Sequence, residues 1–132
     1  PLNTDSTLKG QTVFLAERCG ELMYDNIITD RTILDVMAFT LNAKSIPHQD
    51  KDAFEVYASE FIREYDYIFY ISPHGLEIED NGVRETDEHY RDLIDFTITT
   101  LIKRHGHKAG KIEKISGSTE ERIQQILNIT SL

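Results

Sequence analysis

Three clusters of polar residues carry the side chains that could take part in chemistry, and the first is Thr29-Asp30-Arg31-Thr32. The carboxylate of Asp30 could accept a proton from a hydroxyl group or orient a magnesium ion through water. The guanidinium of Arg31 could hold a phosphate with paired donors, and Asp35 follows on the same segment. The alternative is that Asp30 only caps a helix and that Arg31 is solvated.

The second cluster lies between residues 80 and 91 and contains two arginines. Arg84 stands in an acidic loop, and Arg91 lies on the helix that we predict to begin near Thr86. Both guanidinium groups could converge on one anion, which the N-terminus of that helix would also attract. The alternative is a solvated loop in which the arginines pair with neighbouring carboxylates.

The third cluster is Ser116-Gly117-Ser118, directly after a predicted strand. A glycine at this place lets the backbone approach a flat ligand closely, because it has no side chain. The alternative is an ordinary turn between a strand and a helix. Ser118 and Glu121 have the spacing of a capping box, which predicts that a helix begins there.

These clusters are connected by elements that alternate between helix and strand. The order predicts crossover connections and an α/β fold in which a parallel sheet has helices on both faces. Ligands bind such sheets at the carboxyl ends of the strands, where the first and third clusters lie. The apolar periodicity and the turn residues predict helices at about 6–24, 31–43, 50–65, 86–105 and 118–128, and strands at 26–29, 67–71 and 111–115.

The composition fits a single domain that spans residues 1–132. The formal net charge of −9 argues against nucleic acid and anionic membranes as partners, since both bind positive surfaces. No apolar run approaches the length of a membrane-spanning helix. The single cysteine, Cys19, cannot form an internal disulfide, which favours a buried structural thiol and a cytoplasmic location.

Several segments together resemble a known family of P-loop nucleoside and nucleotide kinases. The resemblance is carried by Asp-Arg-Thr-x-x-Asp-x-x-Ala-Phe at residues 30–39, by Tyr-Ile-Phe-Tyr-Ile-Ser-Pro at 67–73, by the segment 79–95 and by Ile-Ser-Gly-Ser-x-Glu-Glu-Arg at 115–122. It is similar in particular to the AAA-type ATPase/kinase family linked to NAD metabolism, which includes ribosylnicotinamide-kinase-like proteins. The most specific part is the segment 80–95.

The resemblance implies a three-layer, P-loop kinase-like sandwich that transfers a phosphoryl group from ATP, with Mg²⁺, to a nucleoside, a nucleotide or a nucleoside-like acceptor. Asp30 would lie near the acceptor hydroxyl or the magnesium ion, and Arg31 and Asp35 would contact the substrate. Within a lid at about 76–91, Arg84 and Arg91 would close over the transferred group. The remaining matched residues, Gly117 and Ser118, would border the adenine.

One departure from the family pattern concerns the phosphate-binding loop. The 132 residues contain no G-x-x-x-x-G-K-[ST] motif, so we expect a fold that is incomplete at its N-terminus. In that family the strand before this loop lies inside the sheet. Its absence would leave the strand that ends at Asp30 about 10 Å from the strand 67–71, twice the spacing of paired neighbours. The alternative function is a non-catalytic nucleotide-binding or protein-interaction module.

Overall fold

The fold is described by a computed structural model that covers residues 6–73 and 88–132. It contains five α-helices and two β-strands in these residues. In chain order they are α1 (Leu8–Glu21), α2 (Ile33–Leu41), α3 (His48–Ser59), β1 (Tyr67–Ile71), α4 (Glu88–His105), β2 (Lys111–Ile115) and α5 (Thr119–Thr130). Short 3₁₀ segments follow α3 at Glu60–Glu64 and α4 at Gly106–Lys108.

Helix α2 forms the centre of the core. Its sequence is apolar at almost every position, as expected for a helix that is surrounded by other elements. Helices α1, α3 and α4 all pack against it. The side chains of α2 that are buried are those of Ile33, Leu34, Val36, Met37, Ala38 and Thr40.

The two strands pair in parallel, with Tyr67 opposite Lys111 and Ile71 opposite Ile115. Helix α4 lies between them in the chain, which gives a strand–helix–strand unit. A hydrogen bond between Tyr70 of β1 and Asp95 of α4 joins the helix to one face of the sheet. The predicted α/β class and the parallel pairing are therefore confirmed, whereas the three-layer sandwich stays a prediction.

The predicted strand at residues 26–29 is wrong, because these residues form an irregular segment. Ile28 has 95% of its surface exposed and Ile27 is also exposed, so neither side chain packs as a buried strand requires. The β-branched residues that suggested a strand form one only where a partner strand and a packed face are available. Because no strand ends at Asp30, the expected spacing of about 10 Å to the strand 67–71 does not apply to this fold.

The remaining elements agree with the predicted order and differ in detail. On α4, Leu93 is 41% exposed, whereas the ring of Tyr90 contacts that of Phe39. Of the lid predicted at about 76–91, residues 76–87 lie outside the described residues. Among the helices of the described part, none combines the length and the apolar character needed to cross a membrane.

Candidate functional site: a pocket between α1 and α2

A pocket of about 300 Å³ lies between α1 and the beginning of α2. Helix α1 contributes Gln11, Phe14, Glu17 and Arg18 to its wall. The turn before α2 and the helix itself contribute Arg31, Thr32, Asp35, Val36 and Phe39. The pocket thus combines two aromatic rings with two positive and two negative side chains.

The two helices that form the pocket are joined by a buried polar contact. The Nε2 atom of Gln11 donates to Thr40 Oγ1 at 2.9 Å and to the Val36 carbonyl at 3.4 Å. The Thr40 hydroxyl in turn donates to the Val36 carbonyl at 2.8 Å. Because the loss of a partner would leave a buried polar group unsatisfied, this contact fixes how α1 lies on α2.

The N-terminus of α2 is closed by contacts within the chain. The Leu34 amide donates to Thr32 Oγ1 at 3.0 Å, and the Asp35 amide donates to the Thr32 carbonyl at 3.1 Å. The amide of Ile33 donates to the phenol oxygen of Tyr65 at 3.1 Å, and burial raises the Tyr65 pKa to about 12. All three amides have a partner, so none of them is left to bind an anion.

Asp35 completes the capping box of α2. Its carboxylate accepts a hydrogen bond from the Thr32 amide at 2.7 Å, and the Thr32 side chain is the N-cap. Burial raises the pKa of Asp35, and the hydrogen bond from Thr32 and the attraction of Arg31 only partly offset this effect. Asp35 therefore has a structural role in addition to its place in the pocket wall.

Asp30 and Arg31 lie in the turn that leads into α2, and both are exposed. Asp30 does not end a strand, and Thr32, not Asp30, caps the helix. Within the described residues the carboxylate of Asp30 makes no hydrogen bond or ion pair. Arg31 has a φ of 76°, a left-handed conformation that is uncommon for a residue other than glycine.

Arg91, on the first turns of α4, has an unusual environment. Its Nε and Nη1 atoms are buried, and they have no hydrogen-bond partner in the described part of the chain. Arg91 precedes Asp95 by one helical turn, and Asp95 contacts Tyr70 near the carboxyl end of β1. Arg84, with which we expected Arg91 to act, lies outside the described residues.

The turn Ser116-Gly117-Ser118 follows β2 and is held by α5. Gln125 accepts from the Ser116 amide at 3.2 Å and donates to the Ser116 carbonyl at 2.6 Å. Gly117 has a φ of 98°, a conformation that side chains other than that of glycine rarely allow. The predicted capping box is confirmed, since Glu121 Oε1 accepts from the Ser118 amide and the Glu121 amide donates to Ser118 Oγ, each at 3.1 Å.

The structure brings Arg31 and Asp35 together in the wall of one pocket, and their assignment to substrate binding stays a prediction. The residues that α1 supplies were missed, because the packing of α1 on α2 cannot be seen in either segment alone. A signal was present, since Gln11 and Arg18 interrupt the apolar stripe of α1 that Leu8, Leu15 and Leu22 form. Polar side chains on an inward face need partners, and here those partners are on α2 and in the turn before it.

The described residues contain no group of three or more His, Cys, Asp or Glu side chains that could hold a metal ion. A magnesium ion bound with a nucleotide needs fewer protein ligands, since phosphate oxygens and water fill most of its positions. Comparisons with protein-family models, curated proteins and solved structures found no match to this chain.

Proposed function

We propose that the chain takes part in ATP-dependent phosphoryl transfer and that the pocket between α1 and α2 binds the acceptor. The acceptor is a nucleoside, a nucleotide or a nucleoside-like molecule. The observation that carries this proposal is the presence of Arg31 and Asp35 in one pocket with two phenylalanine rings. The proposed location of the activity is the cytoplasm, on the basis of the single cysteine.

The size and the lining of the pocket support a ligand with a flat ring. Its volume of about 300 Å³ is at the lower end of the range for small-molecule sites. Phe14 and Phe39 offer aromatic faces against which a base can stack. A mononucleoside fits this description better than a dinucleotide, for which the volume is too small.

The charged groups in the wall support the sugar and phosphate parts of such a ligand. The guanidinium of Arg31 can donate two parallel hydrogen bonds to a phosphate. The carboxylates of Glu17 and Asp35 can accept hydrogen bonds from ribose hydroxyls. Asp30, exposed in the adjoining turn, is the proposed acidic group near the reacting hydroxyl and, through water, near Mg²⁺.

Arg91 gives separate support for an anionic ligand. A buried guanidinium group with two unpartnered nitrogen atoms is costly, and a phosphoryl oxygen would remove that cost. In the proposal Arg91 and Arg84 stabilise the charge on the transferred group. Gly117 and Ser118 border the adenine of ATP.

The start of α2, which borders the pocket, does not provide a cradle for the phosphates of ATP. Such a cradle uses free backbone amides at the beginning of a helix, and the amides at the start of α2 already have partners. At the start of α5 the capping box occupies the amides of Ser118 and Glu121. We therefore assign no backbone amide of these helix starts to the phosphates of ATP and derive no step through ATP.

The closed N-terminus of α2 favours a second candidate, a module that binds a nucleotide or a protein without catalysis. The two candidates share the pocket and differ in the need for a phosphate-binding loop. The reading frame upstream of Pro1 distinguishes them. A G-x-x-x-x-G-K-[ST] motif followed by a helix would support the kinase, and a stop codon or a degenerate loop there would support the module.

The pocket itself is tested by calorimetry with the 132-residue chain. The ligands are AMP, GMP, CMP and UMP, each compared with its nucleoside. We expect at least one monophosphate to bind and Arg31→Ala to weaken it about tenfold, the usual value of one charged hydrogen-bonded contact. The matched control is Arg63→Ala, because Arg63 is exposed and, within residues 6–73 and 88–132, pairs only with Glu60, at 3.2 Å. The proposal fails if no ligand binds or if both substitutions have the same effect.

A further inference from the structure

The turn before α2 holds Arg31 in a conformation that has to be maintained by its surroundings. Its φ of 76° costs about 1–2 kcal/mol for a residue with a side chain. Thr29 Oγ1 donates to the Arg31 carbonyl at 3.0 Å, and Arg18 Nη1 donates to the Asp30 carbonyl at 3.3 Å. The first contact is internal to the turn, whereas the second connects the turn to α1 through Arg18.

Arg18 is itself held in place. Its Nη2 atom pairs with Glu21 Oε1 at 2.9 Å, and the two side chains are only 22% and 33% exposed. The other carboxylate oxygen of Glu21 is buried without a hydrogen-bond partner in the described residues, so the Arg18 guanidinium is its main compensating charge. The ion pair is consequently more firmly fixed than a solvated pair on a helix surface.

We propose that Arg18 is a positioning residue that acts through Arg31. By holding the Asp30 carbonyl, Arg18 keeps the turn in the conformation in which Arg31 lines the pocket. This inference rests on the proposed function, since Arg31 is the group assigned to the substrate phosphate. It explains why a conformation that is uncommon outside glycine persists beside a ligand pocket.

The first test does not need a ligand. The Thr32 amide donates to the Asp35 carboxylate at 2.7 Å, so its hydrogen exchange reports on the end of the turn. We expect Arg18→Ala to accelerate this exchange about tenfold, corresponding to the loss of one charged hydrogen bond. Arg63→Ala is the matched control, because it removes an ion pair with the same three-residue spacing away from the turn. Unchanged exchange at Thr32 in Arg18→Ala would overturn the proposal.

The second test is a double-mutant cycle with the monophosphate that the wild-type chain binds. We expect Arg18→Ala to weaken binding about fivefold when Arg31 is present. In the Arg31→Ala background it should have no further effect, because Arg18 acts on the ligand only through Arg31. An equal loss in both backgrounds would mean that Arg18 contacts the ligand directly, which contradicts a positioning role. Absence of binding by the wild-type chain would contradict the proposed function, and the exchange rate of Thr32 would still decide the role of Arg18.

Discussion

The guanidinium of Arg91 is expected to lower the stability of the fold, because its buried Nε and Nη1 atoms have no hydrogen-bond partner among the described residues. We predict that Arg91→Met raises the free energy of unfolding by about 1 kcal/mol, since an unbranched apolar side chain needs no hydrogen-bond partner. The same substitution should weaken the binding of a nucleoside monophosphate or of inorganic phosphate. Urea denaturation and calorimetry on one preparation measure the two effects.

The control for this prediction is Arg104→Met. Arg104 donates to both oxygens of Glu55, at 2.8 and 2.7 Å, so its removal should lower the free energy of unfolding by about 1 kcal/mol. If Arg91→Met destabilises the chain as much as Arg104→Met does, then Arg91 is a structural residue and its assignment to an anion is wrong.

The charge of Asp35 can be separated from its capping role. Burial raises the Asp35 pKa above its ordinary value of 3.8, so the carboxylate form is less favourable in the folded state than in the unfolded chain. We predict that Asp35→Asn, which can still accept the Thr32 hydrogen bond, is as stable as the wild type or more stable at neutral pH. Any gain should disappear as the pH falls toward 3.8, where the wild-type carboxyl also becomes neutral.

The control for this prediction is Asp35→Ala. It removes the capping contact and should lower the free energy of unfolding by about 1 kcal/mol. If the pocket needs the negative charge, Asp35→Asn binds a nucleoside monophosphate more weakly although its fold is intact. Equal destabilisation by the two substitutions, measured in urea, would show that the charge serves the fold.

Among individual residues, the sequence identified Arg31 and Asp35 as candidate site residues but did not distinguish the parts that they play. Asp35 has the spacing of a capping-box residue after Thr32, and this role was missed because Asp30 was considered as the cap. Arg18 was not identified, since its contact with the Asp30 carbonyl depends on a turn 12 residues further along the chain. Local spacing predicts contacts within one turn of a helix and not those between elements.

The beginning of β2 depends on a close approach between backbones. The Gly110 amide donates to the Tyr65 carbonyl and the Lys111 amide to the Asp66 carbonyl, both at 2.9 Å. A methyl group at position 110 would clash with that Asp66 carbonyl oxygen, which cannot move without breaking the pairing. We predict that Gly110→Ala lowers the free energy of unfolding by about 2 kcal/mol.

Gly20 provides the opposite case for the same substitution. It lies in α1, and nothing would lie within 4 Å of an added methyl group. Gly20→Ala should therefore raise the free energy of unfolding by about 0.5–1 kcal/mol, through the loss of backbone freedom in the unfolded chain. Thermal or urea denaturation of both variants decides the matter, and equal effects would contradict the close approach at Gly110.

Helices α3 and α4 are joined by an ion cluster around Glu55. The side chain of Glu55 is 14% exposed, and its Oε2 atom lies 2.7 Å from both Arg104 Nη1 and His105 Nε2. Burial acts to raise the Glu55 pKa, but the hydrogen bonds from Arg104 and His105 outweigh it, so the pKa lies below the ordinary value of 4.5. The cluster therefore stabilises the fold above pH 4.5 and loses this effect as the pH falls through the lowered pKa.

Glu55→Gln tests this coupling between the two helices. We predict a loss of about 1–2 kcal/mol in the free energy of unfolding at neutral pH, because hydrogen bonds to a charged group are lost. The difference from the wild type should shrink below pH 4.5, where the wild-type carboxylate becomes protonated. Glu64→Gln is the control, since Glu64 is exposed. A difference that does not change with pH would mean that Glu55 acts through packing.

Elements with a strong pattern were predicted from the sequence, and weak ones were not. The strand 67–71 is apolar at each position and the strand 111–115 lies between turn residues, and both occur as predicted. The segment 26–29 has a similar β-branched character, but Ile27 and Ile28 are exposed, so no packing partner stabilises a strand there. The difference lies in the surroundings of each segment, which a single sequence does not contain.

On the scale of the whole molecule, the candidate site arises from the position of α2. This helix is buried on nearly all sides, and α1 is fixed across it by the contacts of Gln11. The pocket wall therefore unites two segments that are separated in the chain, and its volume and its aromatic lining could not be predicted from either one. The alternation of helices and strands along the chain did indicate the α/β class, whereas the central position of α2 was not predicted.

The last prediction concerns the activity of the 132 residues by themselves. We expect that this chain neither hydrolyses ATP nor phosphorylates a nucleoside or a nucleotide. It contains no G-x-x-x-x-G-K-[ST] motif, and the amides that begin α2 are occupied by Tyr65 and Thr32. Each missing donor to the transition state reduces the rate roughly a hundredfold to a thousandfold, and a phosphate-binding loop supplies several.

The measurement is the release of labelled phosphate from ATP with Mg²⁺, in the presence and absence of the acceptor that the chain binds. The chain must first be shown to be folded by its cooperative unfolding and to bind that acceptor, so that inactivity cannot result from a disordered preparation. The prediction would be contradicted if the chain turned over ATP faster than buffer alone and if Arg31→Ala and Arg91→Met abolished this turnover. It would mean that these residues hold the phosphates of ATP without a loop of backbone amides, and the division between an acceptor side and a missing donor side would then be wrong.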